Sequence, residues 1–334
     1  METISPKYII RENNCDLDWD YLVNNSTQGS IFSESYFLNC LSVNYKKYII
    51  FKGDDMVAGF NIFLSSDELN TVAENLSVYN SIMFISKPDQ KPVKKKLERF
   101  MLTELIIEFL TKKYKNINLS LSPYFFDLRP FLWYNYHNEF GNKKLNKFDL
   151  ELRYTSILNI KSLHLVQDSL SSPIFESMVY VRKNHVKKAI KEGAKLSVEK
   201  CTDKLIYFYK ELMLSQEINI DEQLLENMKS IMNKYCEMDR GKFFQVLNQN
   251  NDPLYIIFYA WDNKRAYYLY GAGNPNISMP WQGTFVHWKA IEYLAKQKIF
   301  FIDFEGVNSP KRGWFKIGFG GDLNPYYVVK RVLI

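Results

Sequence analysis

Cysteine and histidine are scarce in this chain, four of each among 334 residues. Cys15, Cys40, Cys201 and Cys236 stand 25, 161 and 35 positions apart, so there is no CxxC pair, and neither a structural zinc site nor a redox dithiol has its usual spacing. No metal is expected. Long apolar runs are missing too: the longest, near Leu254 to Trp261, is under half the ~20 residues a membrane helix needs. The first residues, Met-Glu-Thr-Ile-Ser-Pro, lack the cationic and apolar segments of a secretory signal, and the expected location is the cytoplasm. Charge of one sign is not in large excess. Forty-three basic against 37 acidic side chains leave +6, a mild field that fits anionic small ligands or a weak RNA contact and excludes a DNA-coating surface.

What the chain has in plenty is rings. Tyr, Phe and Trp make up 16% of it, enough to build wide packing surfaces or a groove for rings, sugars or extended ligands. Hydrophobic residues at 46% and charged ones at 24% are near globular averages and exclude disorder and a coiled coil. The length is that of about two domains.

Short apolar runs alternate with turn residues in the first half. Lys47 to Lys52, the Gly53-Asp54-Asp55 turn and Met56 to Leu64 read as a hairpin. After Pro92, apolar residues recur at steps of three and four to about Lys113, which predicts an amphipathic helix. Strands are expected at Ile117 to Leu121 and Tyr154 to Ile160. A polar, Ser-rich stretch from Lys161 to Pro173 is the expected connection, dividing the chain into 1–170 and 171–334. Beyond it the patterns predict a helix from Phe175 to Glu192 ended by Gly193, a short strand at Lys195 to Glu199, and helices at Asp203 to Leu214 and Asp221 to Tyr235. Strands follow at Phe243 to Leu247, Pro253 to Trp261 and Arg265 to Tyr270. A Gly/Pro loop, a helix from Gly283 to Gln297, a strand from Ile299 to Phe304 and a Gly-rich tail complete the chain. Both halves pair strands with helices, so the fold class is mixed α/β.

On the strand Ile299 to Phe304, alternation sends Asp303 and, if pairing continues, Glu305 to one face, where two carboxylates would emerge together and could handle an amine's proton. The structural alternative has Asp303 binding the Gly306 turn and Glu305 solvated. Lys316 lies among rings and glycines (Trp314-Phe315-Lys316, then Phe319-Gly320-Gly321), an unusual setting for a solvated lysine. Lys183, Lys187 and Lys191 stack along one helix face. With Arg182 they offer a seat for phosphate, or else only the solvated side of a helix whose Val179, Val186, Ala189 and Ile190 point inward. Arg129 and Trp133 pair a fixed cation with a stacking ring, suited to a phosphate or sugar, although packing and an Asp127 ion pair explain them equally well. His287 faces core or cleft and is a reserve base. Tyr270 and Trp288 read as pocket walls.

Taken together and in order, YLYGAG (Tyr268 to Gly273), HWKAIEYLAKQ (His287 to Gln297), IDFEG (Ile302 to Gly306) and FKIGFGGDLNPYY (Phe315 to Tyr327) resemble the Fem-type branch of the GNAT acyltransferase superfamily. The resemblance is particularly to its members in polysaccharide and cell-envelope biosynthesis. VRKNHVKKAIKEG (Val181 to Gly193) and DLRPFLW (Asp127 to Trp133) are weaker matches upstream. The resemblance implies two tandem GNAT-like domains, each a mixed, mostly antiparallel sheet flanked by helices, with the cleft in the second or between the two. It implies transfer of an acyl group to the amine of a sugar or peptide precursor. The Phe315-Lys316 pair matches the family phrase whose lysine stabilises charge on the reacting ester.

Two donors fit. The coenzyme A turn of ordinary GNAT enzymes, Arg/Gln-x-x-Gly-x-Gly/Ala, has no match here, since Gly271 and Gly273 are followed by Asn274-Pro275-Asn276, Pro280 and Gly283. That leaves aminoacyl-tRNA, the donor of Fem-type enzymes, beside acyl-CoA, while the lack of a long charged heptad segment for tRNA favours the thioester. A non-catalytic binding module with the same fold is the reading from another class.

Overall fold

The computed structural model describes residues 2–5, 7–80, 82–137 and 146–333. The chain forms two mixed α/β units, Met1–Arg153 with Pro325–Ile334, and Tyr154–Asn324. The division falls earlier than the Ser-rich stretch near residue 170, which lies inside the second unit, and the last residues return to the first.

In unit one, strands β1 (Glu2–Ser5) and β2 (Tyr8–Glu12), helices α1 (Asp16–Asn25) and α2 (Ser35–Leu38), and strands β3 (Asn44–Lys52), β4 (Asp55–Leu64), β5 (Thr71–Val72) and β6 (Ile82–Phe84) come first. The sheet runs β1-β2-β3-β4-β5 with β6 also on β4, antiparallel throughout. Gly53 takes a positive φ of 61° in the β3–β4 turn, as a two-residue hairpin with glycine first requires. Helix α3 (Pro92–Lys113) starts on its proline, whose missing N–H is harmless in a first turn. It buries Leu102, Leu105, Ile106, Phe109 and Leu110 against the sheet's Tyr48, Ile50, Phe60 and Ile62. Strand β7 (Ile117–Ser120) and helix α4 (Arg129–Trp133) follow. Strand β8 (Asp149–Asn159) carries the chain into unit two.

The expected helix over 175–192 is two helices, α5 (Pro173–Ser177) and α6 (Tyr180–Lys191). Between them Met178 and Val179 are extended, and the Val179 N–H donates to the Gly318 carbonyl at 3.1 Å. This long-range bond competes with helix continuation. Gly193 ends α6 with φ 70°, its N–H on Ile190 and that of Ala194 on Ala189, a left-handed stop as expected. Of the four residues expected inward, only Val186 and Ala189 are buried; Val179 and Ile190 are about half exposed.

Strand β9 (Lys195–Ser197), helices α7 (Thr202–Leu214) and α8 (Glu222–Glu237), and strands β10 (Gly241–Leu247), β11 (Pro253–Trp261) and β12 (Ala266–Gly273) lead to helix α9 (Gln282–Lys296) and strand β13 (Phe301–Gly306). Neighbours in this sheet are antiparallel except β12 and β13, which α9 joins as a parallel crossover. The Gly-rich tail is not a tail: it holds helix α10 (Pro310–Ile317) and a ten-residue strand, β14 (Asp322–Arg331), whose Val328–Arg331 pair with β7. A core of Phe285, Trp288, Ile291 and Leu294 from α9 packs on Ile257, Tyr259, Ile302 and Phe304. No helix among the described residues is long and apolar enough to cross a membrane.

Candidate active site

Two irregularities in the unit-two sheet build the site. The first is in β12. Phe258 pairs with Tyr270 but Tyr259 pairs with Tyr268, so Leu269 is an extra residue, a β-bulge that reverses the facing of everything after it. Tyr268 therefore shares the α9 face with Tyr259, and Tyr270 shares the opposite face with Phe258. The second is the β12–β13 ladder, which pairs Ala266 with Ile302 and Tyr267 with Asp303 and stops. Beyond that point the carboxyl ends of two parallel strands diverge, which is where open α/β sheets admit ligands.

Glu305 sits at that end. Its φ is +60°, and the ladder from β13 to β8 shifts register between Asp303 and Gly306, where pairing resumes with Thr155, so the alternation expected to align the two carboxylates breaks. Asp303, fully buried, accepts the Thr155 hydroxyl and, at 2.8 Å, the Glu305 backbone N–H. Glu305 Oε1 is enclosed with no partner among the described residues. Burial pushes the Glu305 carboxyl well above the usual carboxylate range, against the pull of Lys316 and with a push from Asp303.

Lys316 comes from α10. Gly313 has no Cβ, which would meet the Val307 carbonyl at 2.4 Å, and this close approach brings the helix down on the segment after β13. The Lys316 ammonium donates to the Gly306 carbonyl at 3.2 Å and lies 5.4 Å from the Tyr268 ring centroid. Burial lowers its pKa; Glu305 and Asp303 oppose that shift and Arg312 adds to it. A shallow cavity of about 280 Å³ lies between the segment after β13 and α10, lined by Val307, Asn308, Pro310, Trp314 and Ile317 among others but not by Glu305 or Lys316.

Arg182 lies over Phe315, guanidinium carbon 4.2 Å from the ring centroid, and donates to Thr284 at 3.1 Å in the first turn of α9, with its Nε enclosed and without a partner among the described residues. His287 is fully buried, ringed by Tyr268 (4.5 Å), Phe315 and Phe319 (5.5 Å each). Its Nδ1 shares a 2.8 Å hydrogen bond with the Tyr259 hydroxyl. Burial, then Lys316 and Arg182, lower its pKa to about 3. An imidazole of that kind stays neutral near pH 7 and is a weaker base than a solvent-exposed one.

The structure thus brings Glu305, Lys316, Phe315, Arg182 and His287 together in unit two. Trp288, expected as a pocket wall, is wholly buried in the core beside Phe175, ring centroids 5.1 Å apart. Tyr270, expected as a second wall, is turned by the bulge away from the Tyr268 face. Arg129 and Trp133 belong to unit one, where Asp127 holds Arg129 through two hydrogen bonds of 2.6 and 2.8 Å and Trp133 packs edge-on to Phe100. Thr155 and Tyr259 are not singled out by the sequence, and Tyr268 is visible there only as part of the YLYGAG phrase. Alternation along β11 could have placed Tyr259; nothing local announces the bulge that places Tyr268. Among the described residues no group of His, Cys, Asp and Glu side chains could hold a metal ion, and the four cysteines are free.

No protein-family model and no curated protein sequence matches the chain. Among solved structures it is similar to FemX (TM-score 0.66, 11% identity, 96% of each chain covered). It is also similar to L-PGS from Bacillus licheniformis (0.54, 8%, 96% of this chain and 93% of that one) and to a tandem GNAT protein from the clavulanic acid biosynthesis pathway (0.52, 9%, 98% of each). These likenesses extend over nearly the whole chain, and it carries the Fem-like, tandem GNAT fold.

Proposed function

We propose that the chain is an N-acyltransferase that moves an acyl group from an activated donor to the amine of a sugar or peptide precursor in surface-glycan or cell-envelope synthesis. The observation that carries this is the enclosed Glu305–Lys316 pair at the diverging ends of β12 and β13. Amide formation needs a neutral amine and a stabilised oxyanion. The amine nitrogen attacks the donor carbonyl carbon, forming the C–N bond as the C=O electrons move to oxygen. Lys316 holds that oxyanion, its ammonium fixed by the Gly306 carbonyl. Glu305 takes the proton the nitrogen loses. When the C=O re-forms, the bond to the leaving sulfur or oxygen breaks, and the leaving group departs as the anion or with a proton from solvent. Asp303 acts through Glu305 as a positioning residue.

The donor in this reading is acyl-CoA, favoured over aminoacyl-tRNA by the lack of a long charged heptad segment. Its phosphates would be held by Arg182, with its orphaned Nε, and by the first-turn N–H groups of α9, whose N-cap Trp281 supplies no side-chain acceptor. The test is mass spectrometry of the purified protein incubated with acyl-CoA donors, or with aminoacyl-tRNA, and with amino-sugar nucleotides and peptide precursors. Gain of one acyl mass on an amine, lost in Lys316→Met and Glu305→Gln, is the expected result. RNase-sensitive transfer that ignores acyl-CoA would replace the donor, and ligand binding without transfer would replace the enzyme by a binding module.

A further inference from the structure

Helix α3 meets the core of unit one with its second half only. Every residue it buries lies from Leu102 onward, so the turns before Leu102 project past the core. Apolar side chains stand there all the same. With about 100° of turn per residue, Val93, Leu97, Phe100 and Met101 fall within a single arc of about 100°, as contiguous as the apolar stripe of a buried helix. Yet Val93 is 67% exposed, Leu97 58% and Met101 45%. Helix α4 widens the stripe: the Trp133 ring meets Phe100 edge-on at 5.4 Å, and Leu132 and Trp133 are themselves about half exposed. Single apolar residues on a surface need no explanation, but a contiguous patch on two packed helices does.

The rim of the patch is cationic. On the same projection Lys94 lies just beyond Met101 and Lys96 just beyond Phe100, one on each side of the apolar arc. Lys91, Lys94, Lys95 and Lys96 have no ion-pair partner among the described residues. From Asp89 to Met101 the basic residues Lys91, Lys94, Lys95, Lys96 and Arg99 stand against the carboxylates of Asp89 and Glu98 alone, and Glu98 is held by Lys52 at 2.7 Å. The first turn of α3 has no acid, so the positive end of the helix dipole adds to this field. Glu104, exposed and in line with the stripe, ends it.

Charge decides which partner covers such a face. A second copy of the chain, docked face to face about a twofold axis, would set the same cations against each other. A nucleic-acid backbone would satisfy the lysines and leave the apolar arc against phosphate. An anionic bilayer satisfies both halves of the patch at once. The apolar side chains enter the headgroup boundary with Trp133 at its level, and the lysine stems flank them with their ammonium groups among lipid phosphates.

We propose that the N-terminal half of α3, together with α4, is a membrane-docking face that holds the chain peripherally on a bilayer containing anionic lipid. The face shares no residue with the Glu305–Lys316 site and does not rest on the transfer reading.

The test is flotation of the full chain with vesicles of phosphatidylcholine alone and of phosphatidylcholine mixed with phosphatidylserine. The chain floats with the mixed vesicles and not with the neutral ones, and rising salt releases it. Each lysine near the surface contributes about fivefold to partitioning, so the charge reversal Lys94→Glu with Lys96→Glu lowers it about a hundredfold or more. Leu97→Ser with Met101→Ser removes apolar contact while keeping every charge, and lowers partitioning about tenfold or more. All four side chains are exposed, so both double variants keep the fold, which an unchanged melting curve verifies. Trp133 reports insertion: its emission, taken as the difference between the chain and Trp133→Phe, moves to shorter wavelength on the mixed vesicles. Equal flotation with the two kinds of vesicle, no flotation with either, or flotation that neither double variant alters overturns the proposal. So does flotation that the charge reversal abolishes and the serine pair leaves intact, which marks a surface for a polyanion such as RNA. A dimer, seen by light scattering, that the serine pair dissociates also overturns it. Lys316→Met leaves flotation as it is, so failure here and failure of the transfer reading are read separately.

Discussion

Asp303 accepts the backbone N–H of Glu305 at 2.8 Å, and this bond spans the residue at which β13 leaves regular geometry. A non-glycine residue at φ +60° is held there at a cost of order 1 kcal/mol, and Asp303, itself fixed by Thr155, is the group that holds it. The side chain then turns from the β-strand alternation toward Tyr259 and Tyr268, whose pKa values its charge raises further above those set by burial. If Asp303 positions rather than transfers protons, Asp303→Asn keeps a carbonyl oxygen in place and retains most of the activity, while Asp303→Ala loses tenfold or more in kcat with little change in KM. Steady-state kinetics of the two variants side by side test this; equal loss in both would make Asp303 a proton carrier.

Lys316 and Glu305 are tested through rate and pH together. Loss of one oxyanion contact costs ~10²–10³ in rate, so Lys316→Met lowers turnover by tens-fold or more, and unchanged turnover removes Lys316 from the mechanism. The pH profile carries the sign. A carboxyl raised by burial is a base only above its shifted pKa, so kcat/KM climbs with pH along a limb lying above the ordinary carboxylate range. Because Lys316 pulls Glu305 down, Lys316→Met moves that limb to higher pH, and Glu305→Gln abolishes it.

The parts of the fold that were legible in the sequence are those fixed by local periodicity and turn chemistry. The hairpin at Gly53, helix α3 from Pro92, the stop at Gly193 and strand β11 all follow from residues within one or two turns of each other. What was not legible depends on partners far along the chain. The bond from Val179 to Gly318 splits a continuous helical pattern, and β14 reads as a glycine-rich tail because its pairing partner β7 lies some 200 positions earlier. The site divides the same way. The Phe315-Lys316 phrase and Glu305 are visible as motifs, whereas the bulge at Leu269 puts Tyr268 and Tyr270 on opposite faces and the left-handed Glu305 leaves the alternation that would align it with Asp303.

Gly271 bears on the site through Tyr268. A Cβ there would meet the Tyr268 hydroxyl at 2.3 Å and Ile257 Cγ2 at 2.9 Å, so the glycine is what lets the phenol lie over that strand and under the Lys316 ammonium. Gly271→Ala forces the ring aside at an overpacking cost of about 1–3 kcal/mol. Transfer falls more steeply than that loss of stability accounts for at temperatures where the variant is fully folded. Activity and melting temperature measured on the same sample separate the two effects.

His287 supplies a prediction about stability. Its pKa falls from the usual 6.5 to about 3 in the folded chain, because the buried imidazole shares Nδ1 with Tyr259, has Nε2 enclosed without a partner among the described residues, and has two cations nearby. In the unfolded chain it protonates normally. The unfolded state therefore binds more protons between pH 6.5 and 3, and stability that is fully present above pH 6.5 drains away as pH falls through that window, by up to roughly 5 kcal/mol at its lower end. His287→Phe keeps a ring in the aromatic cage and removes the titration, leaving the Tyr259 hydroxyl unpaired at every pH. The variant is accordingly less stable than the parent chain at pH 7 and closes that gap, or reverses it, near pH 4. Urea unfolding of both proteins across this range gives the difference directly, and a gap that stays constant with pH would mean that the imidazole is not held neutral by its burial.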